Sequence, residues 1–230
     1  MKSPIPVYVG YDPREAAAYH CFCQSVIERA SQPVEFIPLH KPMLDGFDGQ
    51  KDGTNAFIYS RFLVPYLNNY NGWAIFADGD MVVLDDIANL WNVREEQSFN
   101  KAVCVVKHDY QTKHSRKYIG TDIEADNVSY PRKNWSSVIL WNCGHYGNQI
   151  LTPKFVAQSP GSLLHRFEWL KDDQVGELDP KWNALSEEQD IGGASLVHYT
   201  LGVPGIPHYT NCDGADHWHR ATKNMLKCGD

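Results

Sequence analysis

The chain has 230 residues, of which 43% are hydrophobic and 21% charged. This composition is typical of a globular protein with a sizeable core, and it excludes the disordered and fibrous classes. The net charge of −7 provides no broad basic surface for a nucleic acid backbone, so we expect no nucleic acid partner. The chain is also rich in Trp, Tyr and Phe, whose rings suit sugar and base faces but also fill cores.

The N-terminal region and the cysteines indicate the compartment. Residues 1–10 lack the long apolar region and the cleavage site of a secretory signal. No apolar run approaches the roughly 20 residues that cross a bilayer, so no transmembrane segment is expected. We therefore expect a cytoplasmic protein whose six cysteines remain thiols.

The first half of the chain alternates strand and helix patterns. The predicted elements are strands over residues 6–11, 34–39 and 73–77 and helices over residues 14–30 and 59–67. A loop rich in Asp and Gly, through residues 45–53, lies between the second strand and the second helix. This βαβαβ order predicts an α/β fold with a mostly parallel sheet and ligand sites beyond the carboxyl ends of the strands.

The second half is less regular. Strands are predicted over residues 102–106 and 136–141, and a short helix over residues 162–170. From residue 192 onwards Gly, Pro, His and Asp dominate, as in loops that surround a site. Because the sequence contains neither an internal repeat nor a linker, we expect a single domain.

An acidic tripeptide, Asp78-Gly79-Asp80, follows the third predicted strand. By itself such a tripeptide is more typical of a β-turn. Here, however, a buried apolar strand carries two carboxylates at its carboxyl end, around a glycine that lets a ligand approach the backbone. That context favours a site for a hard divalent cation such as Mg²⁺ or Mn²⁺.

The stretch Ile75–Trp91 closely resembles the Asp-x-Asp (DxD) segment of nucleotide-sugar glycosyltransferases with the GT-A fold, especially glycosyltransferase family eight and its relatives. Three further stretches resemble that family in the same order along the chain: Tyr59-Ser60-Arg61-Phe62, Asp173-Gln174 followed by Trp182-Asn183, and Val197-His198-Tyr199-Thr200-Leu201-Gly202. The resemblance implies one GT-A domain over residues 1–230. Its nucleotide-binding half would comprise approximately residues 1–100, and its sugar- and acceptor-binding half approximately residues 101–230.

The resemblance also implies an activity: a metal-dependent hexosyltransferase that uses a UDP-sugar such as UDP-glucose, acts on a carbohydrate, glycoprotein or other hydroxyl acceptor, and retains the anomeric configuration. Asp78, Asp80 and His198 would hold the cation, and an imidazole ligand favours Mn²⁺ over Mg²⁺. Asp173 and Gln174 would act on the donor sugar, with Asp172 as the nearby alternative to Asp173. A lone histidine is more often structural, so the assignment of His198 depends on the motif order.

The remaining members of the expected donor site come from several segments. Tyr11 follows Gly10 at the end of the first strand and can stack on a base, while Asp12 can accept a hydrogen bond from uracil or ribose. An Asp-Pro turn is an equally good explanation of Asp12. The expected nucleotide-sugar contacts are Gly10, Tyr11, Asp12, Arg61, Asp78, Gly79, Asp80, Ser137 and Gly202.

The sequence departs from the family pattern in two places. The family's late Lys-Pro-Trp, whose Lys contacts the donor diphosphate, is absent after Gly202. Phosphate charge would then be met by the metal, by backbone N–H groups, or by Arg14, Arg61 or Lys223. In addition, Trp135 precedes the strand that lines the sugar pocket where many relatives carry Asn, so donor specificity does not transfer.

Two other functions and one other metal site compete with this interpretation. In a haloacid-dehalogenase-like phosphatase, Asp78 would be phosphorylated, Asp80 would act as acid and base, and Asp172-Asp173 would hold Mg²⁺. That loop, however, normally ends the first strand of the domain. A non-catalytic nucleotide-sugar-binding module would retain the fold without turnover. A zinc cluster of Cys212 with the late histidines His208, His217 and His219 matches no usual ligand spacing.

Overall fold

The computed structural model describes residues 3–44, 47, 57–97 and 99–228, so the predicted Asp- and Gly-rich loop lies almost entirely outside the described residues. Within these ranges the chain forms eleven strands and six α-helices. The strands are β1 (Ile5–Gly10), β2 (Val34–Leu39), β3 (Trp73–Ala77), β4 (Met81–Val83), β5 (Val103–Val105), β6 (Arg116–Lys117), β7 (Ala125–Asp126), β8 (Val138–Asn142), β9 (Val175–Glu177), β10 (Ala184–Leu185) and β11 (Leu196–His198). The α-helices are α1 (Ala16–Ile27), α2 (Val64–Leu67), α3 (Ile87–Asn92), α4 (Pro153–Gln158), α5 (Gly161–His165) and α6 (Ala215–Met225).

Six strands form a central mixed sheet in the order β2-β1-β3-β8-β5-β9. β1 pairs in parallel with both β2 and β3, β8 runs antiparallel to β3 and β5, and β9 is parallel to β5. The central parallel strands β1 and β3 are apolar on consecutive residues because helices or loops cover both faces of the sheet there. The expected α/β fold with a mostly parallel sheet is confirmed.

Alternate residues of the same strands fill two cores, one on each face of the sheet. Tyr8 and Phe76 contribute to one core, together with Trp141 and Phe62. Val7 and Ile75 contribute to the other core, which α1 covers with Phe22. The sheet is therefore held from both sides, and its strand ends are fixed in position.

A second sheet, in the order β10-β11-β4, extends beyond the central one. β4 directly follows the acidic tripeptide, and β11 runs antiparallel to it with His198 opposite Met81. Helices α1 and α6 pack behind this sheet around Val82, Val197 and Trp218. The late segment of the chain is thereby brought next to the end of β3.

Several helices differ from their predicted bounds for local reasons. The helix predicted from residue 14 begins as a 3₁₀ turn over Pro13–Glu15, because the Asp12 carboxylate caps the Arg14 backbone N–H at 2.9 Å. The helix predicted over residues 59–67 divides into a 3₁₀ segment, Ser60–Leu63, and α2. α5 ends at His165 because Phe167 adopts a left-handed φ of 55°.

None of the helices in the described part of the chain is both long enough and apolar enough to span a bilayer.

Candidate metal and donor site

Asp78 and Asp80 lie at the carboxyl end of β3, where the strand leaves the central sheet. Asp78 is held in the ladder by its backbone N–H, which donates to Ser137 O at 3.0 Å at the start of β8. Both carboxylates are almost fully buried, with 7% of Asp78 and 5% of Asp80 exposed. Gly79, between them, has no room for a side chain, because a Cβ there would lie 2.7 Å from Gly10 O. The glycine is thus required by the close packing of β1 against the tripeptide.

The pairing of β11 with β4 brings His198 to the same place. The Tyr199 backbone N–H donates to Asp80 O at 2.9 Å, which fixes the position of His198 relative to the tripeptide. One ligand atom from each of Asp78, Asp80 and His198 lies within 4.8 Å of the others. Among the described residues no other group of three or more His, Cys, Asp or Glu side chains has this geometry, so the alternative cluster of late histidines is not formed there.

A chain of amide contacts fixes which nitrogen of His198 faces the carboxylates. The Asn183 Nδ2 donates to Asn134 O at 3.2 Å, which turns the Asn183 Oδ1 towards His198. This oxygen lies 3.0 Å from His198 Nδ1, so Nδ1 carries the proton and donates it. His198 Nε2 then faces Asp80 Oδ1 at 3.4 Å. Two lone pairs at this distance repel one another unless a proton or a metal cation lies between them.

The donor atoms present suit a divalent cation. Asp80 Oδ1 is buried and accepts no hydrogen bond from any described residue, which is costly unless a cation satisfies it. Burial raises the pKa of Asp78, as does its neighbour Asp80, whereas Arg61, His198 and the Ser137 hydroxyl oppose that rise. Two carboxylates and one imidazole fit Mn²⁺ well and Mg²⁺ less well. The ligand roles of these residues remain a prediction.

Arg61 orients Asp78 from the opposite side. It lies in the 3₁₀ segment before α2, and its Nη2 is 2.9 Å from Asp78 Oδ1. The same guanidinium donates to Ser136 O at 2.8 Å and to Ile58 O at 3.1 Å. Because only 5% of Arg61 is exposed and its donors are already engaged, its main task in this structure is to position Asp78.

These groups open onto a cavity of about 130 Å³. Its lining includes the three candidate ligands, Arg61 and Ser137. It also includes Lys117, Tyr130 and His165, which the sequence did not single out. His165 Nδ1 lies 2.8 Å from the Ser136 hydroxyl, and burial lowers its pKa to about 3, so this imidazole is neutral. Lys117 lies in β6, a strand of two residues that carries no recognisable periodicity.

A further carboxyl group, on Glu15, lies close enough to Asp80 to feel its charge. Burial, together with Asp80 and Asp12, raises the pKa of Glu15 to about 8, so this group holds a proton at neutral pH. Its Oε1 is buried and accepts no hydrogen bond from a described residue. Sequence reasoning missed this residue, because a Glu in a helical pattern is usually solvated.

The assignment of Asp173 and Gln174 to the sugar is not supported by their position. They precede β9, whose start is paired with the start of β5 and lies opposite the carboxyl end of β8. The candidate ligands, in contrast, lie at the opposite end of the strands, where β3 ends and β8 begins. Asp173 is exposed and accepts from Asn100 Nδ2 at 3.1 Å, while Gln174 donates to the Tyr146 hydroxyl at 2.6 Å. We correct the sequence-based assignment accordingly.

The position of Asp172 supports neither its role as the alternative to Asp173 nor the phosphatase. Its carboxylate is exposed and forms an ion pair with Arg132 at 2.5 Å. Asp172 and Asp173 are therefore not placed beside Asp78, as the phosphatase alternative requires. Lys223, one of the suggested phosphate contacts, is exposed on α6 and does not line the cavity.

The end of β1, where nucleotide contacts are expected, lies next to the end of β3, and part of this segment is already engaged. Asp12 is 2% exposed, and its carboxylate caps the following turn and pairs with Arg14 at 2.6 Å, so the turn explanation holds for this residue. Tyr11 is partly exposed, with its ring edge-on to Tyr19 and His40 at 5.3 and 4.9 Å. Gly202 has a φ of 150°, and a Cβ there would meet the Tyr209 ring at 2.5 Å.

Comparison with known proteins identifies the relatives of this chain. No protein-family model matches the chain. The chain is 39% identical over 229 residues to protein CDI of Arabidopsis thaliana, and the match covers 94% of this chain and 85% of that protein.

Several solved glycosyltransferases have a similar structure. The match to the bifunctional glycosyltransferase WbbM has a TM-score of 0.66 and 14% identity and covers 98% of this chain, which spans half (50%) of the length of WbbM. The galactosyltransferase LgtC, in complex with donor and acceptor sugar analogues, matches with a TM-score of 0.55 and 13% identity over 98% of each chain. Mouse xyloside xylosyltransferase 1 matches with a TM-score of 0.55 and 11% identity over 88% of this chain and all (100%) of its own.

The two kinds of similarity support different statements. Identities of 11% to 14% show the fold alone, and the expected GT-A fold is confirmed. The more specific assignment to glycosyltransferase family eight stays a prediction. The identity to protein CDI extends over nearly the whole chain. The chain belongs to the same family as protein CDI, and its fold is the GT-A fold of glycosyltransferases.

Proposed function

We propose that this protein is a metal-dependent glycosyltransferase that moves a hexose from a UDP-sugar, such as UDP-glucose, to a hydroxyl group of a carbohydrate or glycoprotein acceptor. The observation that carries the proposal is the cluster of Asp78, Asp80 and His198, which opens onto a cavity lined by Arg61 and Lys117. Acidic ligands for a cation and basic side chains around one cavity match the charges of a diphosphate bridged by a metal. The structurally similar LgtC was solved with donor and acceptor sugar analogues.

The roles of the ligands follow from their surroundings. Asp78 and Asp80 provide oxygen ligands, and His198 provides Nε2, because its Nδ1–H is engaged by Asn183. A cation held there would neutralise the charge that develops on the leaving diphosphate. The imidazole ligand favours Mn²⁺ over Mg²⁺. Arg61 keeps the Asp78 carboxylate in place through the contact of 2.9 Å between them.

The nucleotide is assigned to the first half of the chain, of about residues 1–100, and the sugar and acceptor to the second half. Tyr11 lies at the carboxyl end of β1, next to Asp78, and its ring provides a face for uracil. Ser137, His165 and Tyr130 line the cavity from the second half of the chain. In this assignment the donor lies across the carboxyl ends of the strands, as ligands do in open α/β sheets.

The charges around the cavity support transfer with retention. The carboxylates among its described lining residues are Asp78 and Asp80, which are assigned to the metal. With Asp173 at the opposite end of the strands, these residues leave neither a carboxylate base to activate the acceptor for inversion nor a carboxylate nucleophile for a double displacement. The acceptor oxygen would then bond to the anomeric carbon on the face from which the diphosphate departs. As the bond from the anomeric carbon to the phosphate oxygen breaks, that oxygen receives the acceptor proton.

The test is a donor panel. Purified protein is incubated with Mn²⁺ and a series of UDP- and GDP-sugars, and nucleotide release is measured alongside hydrolysis of a generic phosphate ester. We expect release from a UDP-sugar that is lost on addition of EDTA. Asp80→Asn should reduce release by at least about 100-fold, because it removes a ligand of the cation.

Asp173→Asn is the matched comparison, since it removes an exposed carboxylate that the sequence suggested but the cavity does not contain. We expect it to leave release within about twofold of the wild type. The proposal fails if no nucleotide binds in the presence of Mn²⁺, or if Asp78→Asn and Asp80→Asn leave release unchanged. Hydrolysis of the phosphate ester would favour the phosphatase, and tight binding of a UDP-sugar without turnover with any acceptor would favour a binding module.

A further inference from the structure

We infer that Lys117, from the β6–β7 hairpin, binds the diphosphate of the donor and so supplies the phosphate-contacting cation that is missing after Gly202. This inference rests on the proposed function, since it names the side chain that recognises one part of the proposed substrate. None of the three side chains considered from the sequence for this role, on Arg14, Arg61 and Lys223, is as well placed.

The first argument is that the Lys117 ammonium lines the cavity without a partner. Among the described residues it forms neither a hydrogen bond nor an ion pair. Its Nζ lies 5.4 Å from the centre of the Tyr118 ring. An ammonium has three donors and no acceptor, so a partly buried one without partners has unused binding capacity. A negatively charged ligand in the cavity would use that capacity.

The second argument comes from the charges around Lys117. Burial lowers the pKa of Lys117, whereas the negative charges of Asp80 and Asp78 raise it. The ammonium therefore lies within electrostatic range of both carboxylates of the candidate metal site, yet it is paired with neither. A group that contacts both a metal cation and Lys117 must carry negative charge at each contact. A diphosphate has this distribution of charge.

The third argument is that the hairpin is fixed where the late segment passes. The Tyr118 backbone N–H donates to Leu201 O at 2.6 Å, and the Ile119 N–H donates to the Tyr209 hydroxyl at 3.3 Å. Tyr118 is 3% exposed and has a left-handed φ of 56°, a conformation that only well-packed surroundings maintain in a tyrosine. Lys117 is thus attached to the segment that follows His198, so a cation reaches this side of the cavity without a lysine in that segment.

The neighbouring residue shows that the hairpin presents its two basic side chains differently. Arg116 pairs with Glu124 at 2.7 Å and with Asp126 at 2.6 Å, both on the hairpin itself. Successive side chains of a strand point to opposite faces, so Lys117 is directed away from these acids. Arg116 therefore stabilises the hairpin, and Lys117 is left for a ligand.

The other basic candidates are engaged or distant. Arg14 is paired with Asp12 at 2.6 Å, and Arg61 is held by Asp78 and two backbone carbonyls. Lys223 is exposed on α6 and does not line the cavity. Lys117 is therefore the cation of the described cavity lining that a phosphate group can bind without breaking an existing ion pair.

The test compares nucleotide binding by the whole chain and by variants of Lys117. UDP and GDP are titrated calorimetrically in the presence of Mn²⁺, and uridine and guanosine are measured by ligand-observed NMR. For Lys117→Gln we expect the Kd of the bound diphosphate to rise about 10- to 100-fold, the range for loss of a charge-assisted hydrogen bond. The Kd of the matching nucleoside, which has no phosphate, should change by less than about twofold. Lys117→Arg should restore most of the diphosphate affinity.

Lys113→Gln is the matched control, because it removes an exposed lysine four residues away whose backbone, rather than its ammonium, is the recorded contact to Glu188. It should leave every Kd within about twofold of the wild type. Diphosphate binding by Lys117→Gln at wild-type affinity would overturn the role of Lys117 alone, as would an equal loss of nucleoside and diphosphate. If the wild-type protein binds neither UDP nor GDP with Mn²⁺, the proposed function fails as well.

Discussion

At the scale of single residues, the candidate site depends on side chains that act through others. His198 presents Nε2 to the carboxylates because Asn183, which is fully buried, receives its Nδ1–H. Asn183 is in turn fixed by its donation to Asn134 O. The Trp182-Asn183 pair found in the sequence is thus explained by the orientation of an imidazole. The Asn183 amide holds the candidate ligand His198, and the Trp182 indole is buried in the core on one face of the sheet.

A strict requirement for glycine is at Gly79, because the atom that an added Cβ would meet there belongs to the backbone. A Cβ there would lie 2.7 Å from Gly10 O, and β1 cannot retreat because it is paired between β2 and β3. We expect Gly79→Ala to lower the free energy of unfolding by about 2 kcal/mol, as overpacking does in a closely packed interior. Urea unfolding followed by tryptophan fluorescence measures this change.

Gly144→Ala is the matched control for Gly79→Ala. At Gly144 the nearest atoms to a built Cβ are 3.7 Å away, which is ordinary van der Waals contact. This variant should stay within about 0.5 kcal/mol of the wild type. Equal stability of the two variants would show that the contact between Gly79 and β1 is not as close as the structure indicates.

The sequence could predict the site residues that follow a recognisable strand or lie in a recognisable motif, but not those placed by long-range strand pairing. Asp78 and Asp80 were predicted because they directly follow a buried strand, and His198 because its segment resembles a known motif. Lys117 was missed, since a strand of two residues in a loop region has no pattern to detect. Asp173 was misplaced because the position of β9 beside β5 is set by long-range strand pairing, which the residues around Asp173 do not encode.

At the scale of elements, the site is supported by a layer that contains none of the candidate ligands. Helices α1 and α6 pack on the second sheet, and Trp218 of α6 lies against Val82 and Val197 of its strands. The Cys21 thiol of α1 donates to Trp218 O at 3.5 Å, which ties the two helices together. Because β4 directly follows the tripeptide and β11 ends at His198, this packing holds the two parts of the candidate metal site in register.

Trp218 is therefore the side chain whose loss should most weaken this layer. It is 6% exposed, and truncation of a buried Trp to Ala typically costs about 3–5 kcal/mol. We expect Trp218→Ala to lower the free energy of unfolding by about that amount in urea titrations. Trp218→Phe should cost less than about 1.5 kcal/mol, because the buried indole N–H has no hydrogen-bond partner among the described residues. Similar losses in both variants would contradict this account of the packing.

Elements with a strong local pattern had their predicted bounds, whereas those fixed by pairing did not. The bounds of β2 and β3, Val34–Leu39 and Trp73–Ala77, agree with the prediction because turn residues flank both predominantly apolar runs. β10 and β11, of two and three residues, form only because β4 offers an unpaired edge to β11 and β11 offers one to β10. The candidate metal site needs this second sheet, so its assembly could not be deduced from local sequence.

At the scale of the whole molecule, the acidic composition has a structural counterpart. Part of the net charge of −7 lies in Asp78 and Asp80, buried at the end of β3, rather than in a solvated surface. The aromatic excess is largely core, with Trp141 and Trp182 among the most fully buried side chains. Tyr11, the ring proposed for the base, is partly exposed.

Buried histidines make the free energy of unfolding depend on pH. His108 is 8% exposed, and burial together with the nearby His198 lowers its pKa to about 4; burial also lowers the pKa of His165, to about 3. In the unfolded chain a histidine has a pKa of about 6.5, so below that value the unfolded state binds protons that the folded state does not. The stability these neutral imidazoles allow is present above pH 6.5 and is lost as the pH falls towards 4 and 3.

His108→Gln tests this linkage. Between pH 6 and about pH 4.5, one proton taken up only by the unfolded chain gives a slope of up to about 1.4 kcal/mol per pH unit. We expect the variant to flatten the pH dependence of the free energy of unfolding by up to that amount, whatever its stability at neutral pH. The backbone oxygen that accepts from Trp135 Nε1 at 2.8 Å is retained in the variant. His208→Gln, at an exposed position, is the matched control, and a slope in His108→Gln equal to that of the control would show that His108 is not buried in its neutral form.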